Sequence, residues 1–253
     1  MISILTLNCN GLRSAIQKNL LEWLKVENPD IVCLQEIKIH QRDLTESLQN
    51  LLGYQTYYYP AEKAGYSGVA VWAKTKPLSF QVGMDIAEYD REARILRLEW
   101  EKFSVASVYF PSGTSGEHRQ TVKERFLNDF LSFTEKINKK VIFSGDFNIA
   151  HTEQDIHHPE RHHKQSGFLP HERKWFSELL EKGYTDSFRF LYPAAKEYSW
   201  YNFRSNARSK NLGWRIDYHI VSDDLADKIQ EVKIYQDVVF SDHCPVMLRL
   251  KDV

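Results

Sequence analysis

The sequence predicts an α/β fold in which two mixed β-sheets pack face to face with helices outside. Three observations carry this. Runs of strand character and runs of helical spacing both recur, but the helices cluster between groups of strands instead of alternating strictly with them. Six short segments each set an acid, amide, tyrosine or histidine where a strand runs into a loop, and they span the whole length. No Gly/Ser-rich or Pro-rich linker and no internal repeat divides the 253 residues, so one domain over residues 1–253, with a site that needs both halves, is expected. Periodicity alone leaves an open three-layer sheet as the alternative.

In order along the chain, residues 1–8 alternate as a first strand and lack the basic leader and long apolar run of a signal peptide. Ile16, Leu20, Trp23 and Leu24 then recur at helical spacing up to Pro29, before which a helix must end. Residues 31–35 form a short continuous apolar run, the pattern of a strand buried on both faces, and deliver Glu36 to its end. Leu44, Leu48, Leu51 and Leu52 mark a second helix stopped by Gly53. From 54 to 111 the pattern is strand-rich, with residues 69–72, 93–100 and 104–109 as sheet members. Val122, Phe126, Phe130, Phe133 and Ile137 define a long amphipathic helix before a strand at 141–144. A helix near 171–182 leads to strands at 216–221, 229–235 and 246–250.

A formal net charge of −1 is unexpected for a nucleic-acid binder, which relies on basic surface to neutralise phosphates. An enzyme carrying a cluster of metal-binding acids can nonetheless be neutral overall while one face is basic. Candidates for that face are residues 161–164, Arg173 with Lys174, and Arg204, Arg208 and Lys210; only the last group adjoins one of the six segments. No stretch reaches transmembrane length. The cysteines, Cys9, Cys33 and Cys244, are odd in number and sit beside the segments, which suits reduced thiols in a cytoplasmic enzyme.

The six segments are residues 7–13 (Leu-Asn-Cys-Asn-Gly-Leu-Arg), 34–36 (Leu-Gln-Glu), 108–111 (Val-Tyr-Phe-Pro), 144–148 (Ser-Gly-Asp-Phe-Asn), 213–218 (Gly-Trp-Arg-Ile-Asp-Tyr) and 241–245 (Ser-Asp-His-Cys-Pro). Loops at one end of α/β sheets converge, so strand-end residues far apart in sequence can share one site. One such carboxylate would be an ordinary solvated turn residue; six in a row read as a metal-assisted phosphodiesterase. That chemistry needs a positioned water, a base, positive charge on the non-bridging oxygens and help for the leaving oxygen, and Mg²⁺ prefers one or two carboxylates plus waters and phosphate.

At these residues the sequence resembles the exonuclease III and AP endonuclease family, the DNA-repair branch of the endonuclease/exonuclease/phosphatase superfamily. The likeness runs nearly end to end, and its most specific stretch is residues 206–211 (Asn-Ala-Arg-Ser-Lys-Asn) leading into 213–217. The resemblance implies a four-layer α/β sandwich and a Mg²⁺ cofactor for which Mn²⁺ can substitute. It makes Glu36 the first metal ligand, with Asn10 and Asp242 completing or adjoining the site, and Asn8 a hydrogen-bonding neighbour of the acids. Asp146 would prepare the attacking water and Asn148 orient it; both, with His243, also count among the candidate metal ligands. Asp217 should meet His243 and fix its tautomer, which leaves open whether His243 is a base or a cationic phosphate clamp. Tyr109 supplies a phenol near the phosphate or leaving group.

The His-rich stretch 157–163 lacks the ordered spacing of a zinc site and by resemblance lies along the DNA backbone. His162 and Gln165 stand where better-studied abasic endonucleases offer asparagines, and Ser112 and Ser115 where an Asn and an Arg can stand. Trp200, Trp214 and Ile216 align with an apolar pocket that receives a base-free sugar. The expected partner is duplex DNA with abasic sites or with blocked or recessed 3′ ends, bound by a monomer away from membranes. A superfamily cousin hydrolysing RNA or a phospholipid, and a catalytically silent DNA-binding module, are the alternatives.

Overall fold

Both faces of the central strands are apolar, and the two faces belong to different cores. In β1 (Ile2–Asn8), Ile4 joins one cluster while Leu5 and Leu7 join another, as the two-residue repeat of a strand requires. The computed structural model describes residues 1–138, 140–203 and 206–252. Arg204, expected on the basic face, lies outside the described residues.

After β1 come α1 (Leu12–Gln17), α2 (Leu20–Glu27), β2 (Ile31–Gln35), α3 (Glu46–Gln49), β3 (Gln55–Tyr59), β4 (Val69–Ala73), β5 (Ser79–Val82), α4 (Ala87–Asp90), β6 (Ile95–Glu99) and β7 (Ser104–Tyr109). The second half adds α5 (Glu117–Glu135), β8 (Val141–Asp146), α6 (Pro170–Glu181), β9 (Tyr184–Asp186), α7 (Ser187–Leu191), β10 (Trp200–Tyr201), β11 (Gly213–Trp214), β12 (Asp217–Ser222), β13 (Ile229–Ile234) and β14 (Val246–Leu250). One sheet has the order β13-β14-β1-β2-β4-β3 and the other β5-β6-β7-β8-β12-β9. Each holds one parallel pair, β1 with β2 and β7 with β8, among antiparallel neighbours. Both sheets are therefore mixed, as the sequence predicts.

Between the sheets lie Ile4, Cys33, Val71, Val105, Ile142 and Val246. Outside the second sheet, Phe126 and Phe130 of α5 and Phe176 of α6 pack on Val108, Phe143 and Ile220. Outside the first, Leu12, Leu20 and Leu24 of α1 and α2 cover Leu7, Leu34 and Trp72. The result is four layers, not an open three-layer sheet.

Local departures have local causes. The first helix is two, because Asn19 takes a left-handed conformation (φ 68°) that interrupts the hydrogen-bond ladder. The leucine-marked second helix reduces to the single turn α3 followed by a tight turn with Leu52 at φ 53°. Helix α5 stops at Glu135, so Ile137 packs from the loop beyond it.

Strand register positions the chemistry. On neighbouring strands Tyr109 pairs with Asp146 and Asp146 with Asp217, which sets the three side by side at one end of the second sheet. At the facing end of the first sheet, β1 finishes at Asn8 beside Gln35, one residue before Glu36.

Candidate active site

Three of the candidate residues adopt backbone conformations that side chains other than glycine rarely take: Asn10 (φ 44°), Glu36 (φ 47°) and Asn148 (φ 53°). Such strain gathers at functional sites, where the surrounding fold holds it. Here Glu36 and Asn148 turn the chain sharply after a buried strand, and the residues that follow them, Ile37 and Ile149, are buried in the core.

Asn8 joins the two sheets. Its Nδ2 donates to Glu36 Oε1 and to Asp146 Oδ2, each at 2.9 Å. Asp146 is buried and accepts at Oδ1 from the Asn148 backbone N–H (2.8 Å) and at Oδ2 from Asn148 Nδ2 (3.2 Å). Burial pushes its carboxyl up to about 7, against the pull of the His243 charge and with a push from Asp217. Asp217 holds His243 Nδ1 at 2.9 Å, and its own Oδ2 accepts from Ser199 Oγ at 2.7 Å. Burial works against the charge on His243, but Asp217 first, then Asp146 and Asp242, raise the imidazole to about 10. His243 is thus a buried cation whose Nε2 lies 3.9 Å from Asp146 Oδ2.

Asp146, Asp217 and His243 place ligand atoms within 4.8 Å of one another, an arrangement that could hold a metal ion or, with the ring protonated, present a cation to a phosphate.

The oxygens expected to ligate a metal lie beside this cluster, joined to it through Asn8. Glu36, Asn10 and Asp242 meet there: Asn10 Nδ2 donates to Asp242 Oδ1 at 3.1 Å, and Trp200 Nε1 donates to Asp242 Oδ2 at 3.0 Å. Lys38, which the sequence reading missed, sets its ammonium 2.9 Å from Glu36 Oε2 and 2.5 Å from Asn10 Oδ1. A cation already held between two of the proposed ligands shows that these oxygens converge on positive charge, and an all-oxygen set suits a hard divalent ion. Burial would raise the Glu36 carboxyl, but Lys38, with help from Asn8, holds it below its ordinary value. Asp242 is likewise held low, burial being outweighed by the His243 charge together with the hydrogen bonds from Trp200 and Asn10.

Tyr109 closes the floor. Its phenol is pushed well above the ordinary value by burial and by the Glu36 charge, so it stays a neutral donor, and the Arg94 guanidinium lies over its ring at 4.8 Å.

Next to these polar groups the cleft, about 200 Å³, turns apolar along Trp200, Trp214 and Ile216, with Gly167 opposite. The two indoles meet edge-on at 6.1 Å. A side chain on Gly167 would come within 2.9 Å of the Trp214 ring, so the glycine keeps this recess open. Ser112 and Gln165 line the same cleft. His162 does not reach it; the ring packs on Trp214 at 5.2 Å and bonds Gln165 Oε1 through Nδ1. Lys210 is exposed, as a phosphate contact would be.

Arg208 is placed otherwise than expected. Its guanidinium donates to the backbone carbonyls of Gln236 (2.6 Å) and Val238 (3.0 Å) and reaches those of Ser241 and Asp242 at 3.4 and 3.5 Å. It also stacks 5.1 Å from the Tyr201 ring. With donors engaged by the loop that carries Asp242 and His243, it braces that loop. A surface-charge reading of sequence could not anticipate this, since a carbonyl cluster leaves no mark in residue type.

An acid–histidine pair, a second acid beside it, a hard-cation corner and an apolar recess in one cleft define a metal-dependent phosphodiester hydrolase. The chain belongs to the endonuclease/exonuclease/phosphatase family, whose model matches residues 5–243, and within it to the exonuclease III and AP endonuclease branch. It is similar to an exodeoxyribonuclease of Bacillus subtilis, 39% identical over 251 residues with 98% of each chain covered. It is also similar to a DNA repair nuclease of Danio rerio, 38% identical over 254 residues that cover 98% of this chain and 82% of the other. Among solved structures, an AP endonuclease from Archaeoglobus fulgidus superposes with a TM-score of 0.92 at 26% identity over the full length of both chains. A 3′ phosphatase from Neisseria bound to product DNA hairpin gives 0.91 at 27%, again over both full lengths. Among the described residues no helix is long and apolar enough to cross a membrane.

Proposed function

We propose that this protein is an exodeoxyribonuclease III-like repair enzyme that cuts duplex DNA on the 5′ side of abasic sites and trims 3′ ends, with Mg²⁺ as its cofactor and Mn²⁺ as a substitute. One observation carries the reading: the Asp146–Asp217–His243 cluster opens directly onto the recess of Trp200, Trp214 and Ile216. A flipped base-free sugar gains from such a recess, and no base pair opposes its entry. We take it to act as a monomer and a single domain.

Glu36, Asn10 and Asp242 would hold the Mg²⁺, which when bound adds positive charge at the phosphate and the leaving oxygen. The protein's own groups do the rest. Asp146, with its raised carboxyl, takes a proton from the attacking water, and Asn148, whose Nδ2 donates to Asp146 Oδ2 at 3.2 Å and to the Phe110 carbonyl at 3.0 Å, orients that water through its amide oxygen. The His243 cation faces a non-bridging phosphate oxygen, while the Asp217 contact keeps its proton in place. Tyr109 donates from a neutral phenol toward the phosphate or leaving oxygen. Asn8 holds Glu36 and Asp146 at a fixed separation, which preserves the alignment in-line attack needs.

Matched assays on an abasic duplex, a recessed 3′ end and a 3′-phosphate, each titrated with Mg²⁺, test this. Metal-dependent cleavage of the first and shortening of the second are expected. Failure on all three, with turnover on RNA or a phosphoinositide instead, would overturn it.

A further inference from the structure

Lys123 and Glu172 form an ion pair with no exposed surface on either side chain, Nζ to Oε1 2.7 Å. Neither belongs to the cleft. Two of their remaining hydrogen bonds, however, reach residues that line it, Asn148 and Gly167. Lys123 Nζ donates to the backbone carbonyl of Asn148 at 2.9 Å. Glu172 Oε2 accepts from the backbone N–H of Gly167 (2.7 Å) and of Leu169 (3.1 Å), and Oε1 accepts from Gln120 Nε2 at 3.1 Å.

A buried ion pair is weak evidence for stability, because removing two charges from water costs about as much as their attraction returns, and apolar replacements are often neutral. Its partners therefore suggest another use. Asn148 is left-handed (φ 53°), and in that conformation its Nδ2 donates to Asp146 Oδ2 while its carbonyl accepts from Lys123 Nζ. The ammonium sits where that carbonyl points. On the other side the carboxylate fixes the amide of Gly167, whose own carbonyl accepts from Ala150 N at 2.8 Å. One charge pair thus ties the Asp146–Asn148 turn to the recess wall.

We infer that Lys123 and Glu172 are a positioning pair for catalysis: they lock the Asn148 turn against the Gly167 wall, so that the water-orienting amide and the sugar recess keep one spacing. The inference rests on the roles proposed for Asp146 and Asn148. A small misplacement at such a site costs one to two orders of magnitude in rate.

The test measures single-turnover incision of an abasic duplex, KM and melting temperature for the double variant Lys123→Met/Glu172→Gln, which removes both charges and keeps both shapes. Turnover should fall about tenfold or more, with KM, the Mg²⁺ midpoint and melting within a factor or a few degrees of the parent. A folded double variant with parental turnover overturns the inference. Should it not fold, Glu172→Gln alone decides: it keeps an acceptor for Gly167 but releases the ammonium from its anchor, so a fall of about threefold at constant KM is expected and unchanged turnover is the refuting result. Asp146→Asn run alongside separates the two levels. If it is inactive while the double variant is fully active, only the positioning role fails; if it is itself active, the proposed chemistry fails.

Discussion

Replacing Asp217 with Asn should move the whole pH profile toward acid. The imidazole of His243 has Asp217 at 2.9 Å, Asp146 at 3.9 Å and Asp242 nearby, and together they lift it to about 10 against burial. At an effective dielectric of about 20, a charge pair at the Asp217 distance contributes about 6 kcal/mol, which is roughly 4 pKa units. Without it, the ring should titrate well below its parent value. The sign follows from the direction of the shift: a histidine raised on folding keeps its proton, and the stability that the proton brings, until pH rises through its folded value. The parent should therefore gain activity as Asp146 loses its proton through about pH 7 and keep it toward about 10. The variant should begin to lose activity at lower pH than the parent, by about tenfold per pH unit once the ring has titrated. Asp146, relieved of a like charge, should ionise at lower pH. Single-turnover incision of an abasic duplex from pH 6 to 9.5 at saturating Mg²⁺ measures both limbs. A variant profile parallel to the parent's between pH 6.5 and 9 would show that the protonated imidazole is not what Asp217 maintains.

Glu36→Gln should raise the half-saturating Mg²⁺ concentration about tenfold or more, since one of two carboxylates at the oxygen corner becomes neutral while melting stays put; a metal titration of activity reads it. Trp214→Ala should reduce abasic incision more than digestion of an undamaged recessed end, by about tenfold in their ratio; because it is a buried indole, a stability loss of about 3 kcal/mol must be checked by melting. Arg208→Leu should lower melting temperature and turnover without changing the salt dependence of DNA binding, whereas Lys210→Ala should reduce the slope of log affinity against log salt by about 1. Equal slopes for both variants would return Arg208 to the DNA face.

How much of this was legible depends on what each residue advertises. The strands ending at Gln35 and Asp146 were readable because burial on both faces forces an apolar run that stops where the polar site begins, and the strand ending at Asn8 because its residues alternate. The two-residue ribbon of β10 and β11 was not, because two residues hold no period, although it carries Trp200 and Trp214. Lys123 reads as the solvated side of α5 because a lysine beside Val122 is most often exposed; only the distant Glu172 makes its burial tolerable. The same blindness to remote partners hid Lys38 as a neighbour of Glu36 and turned Arg208 into an expected DNA contact. Arg215, which sits inside a family motif, is fully buried between Asp155 and Asp186 for a similar reason. Residue type predicts chemistry well where the local chain supplies the geometry, and poorly where charge is neutralised from another element.

In the first sheet β14 lies between β1 and β13, so strands from opposite ends of the described residues are hydrogen-bonded neighbours. The loop carrying Asp242 and His243 immediately precedes β14, and Ser241 Oγ bonds the Asn8 carbonyl at the end of β1 at 2.6 Å. The cutting site is therefore complete only once β14 has paired with β1. Such long-range pairing slows folding. It also means that a half-made chain has an open β1 edge and no imidazole: the nuclease stays inert during its own synthesis, and a chain interrupted before residue 241 cannot cleave DNA by this chemistry.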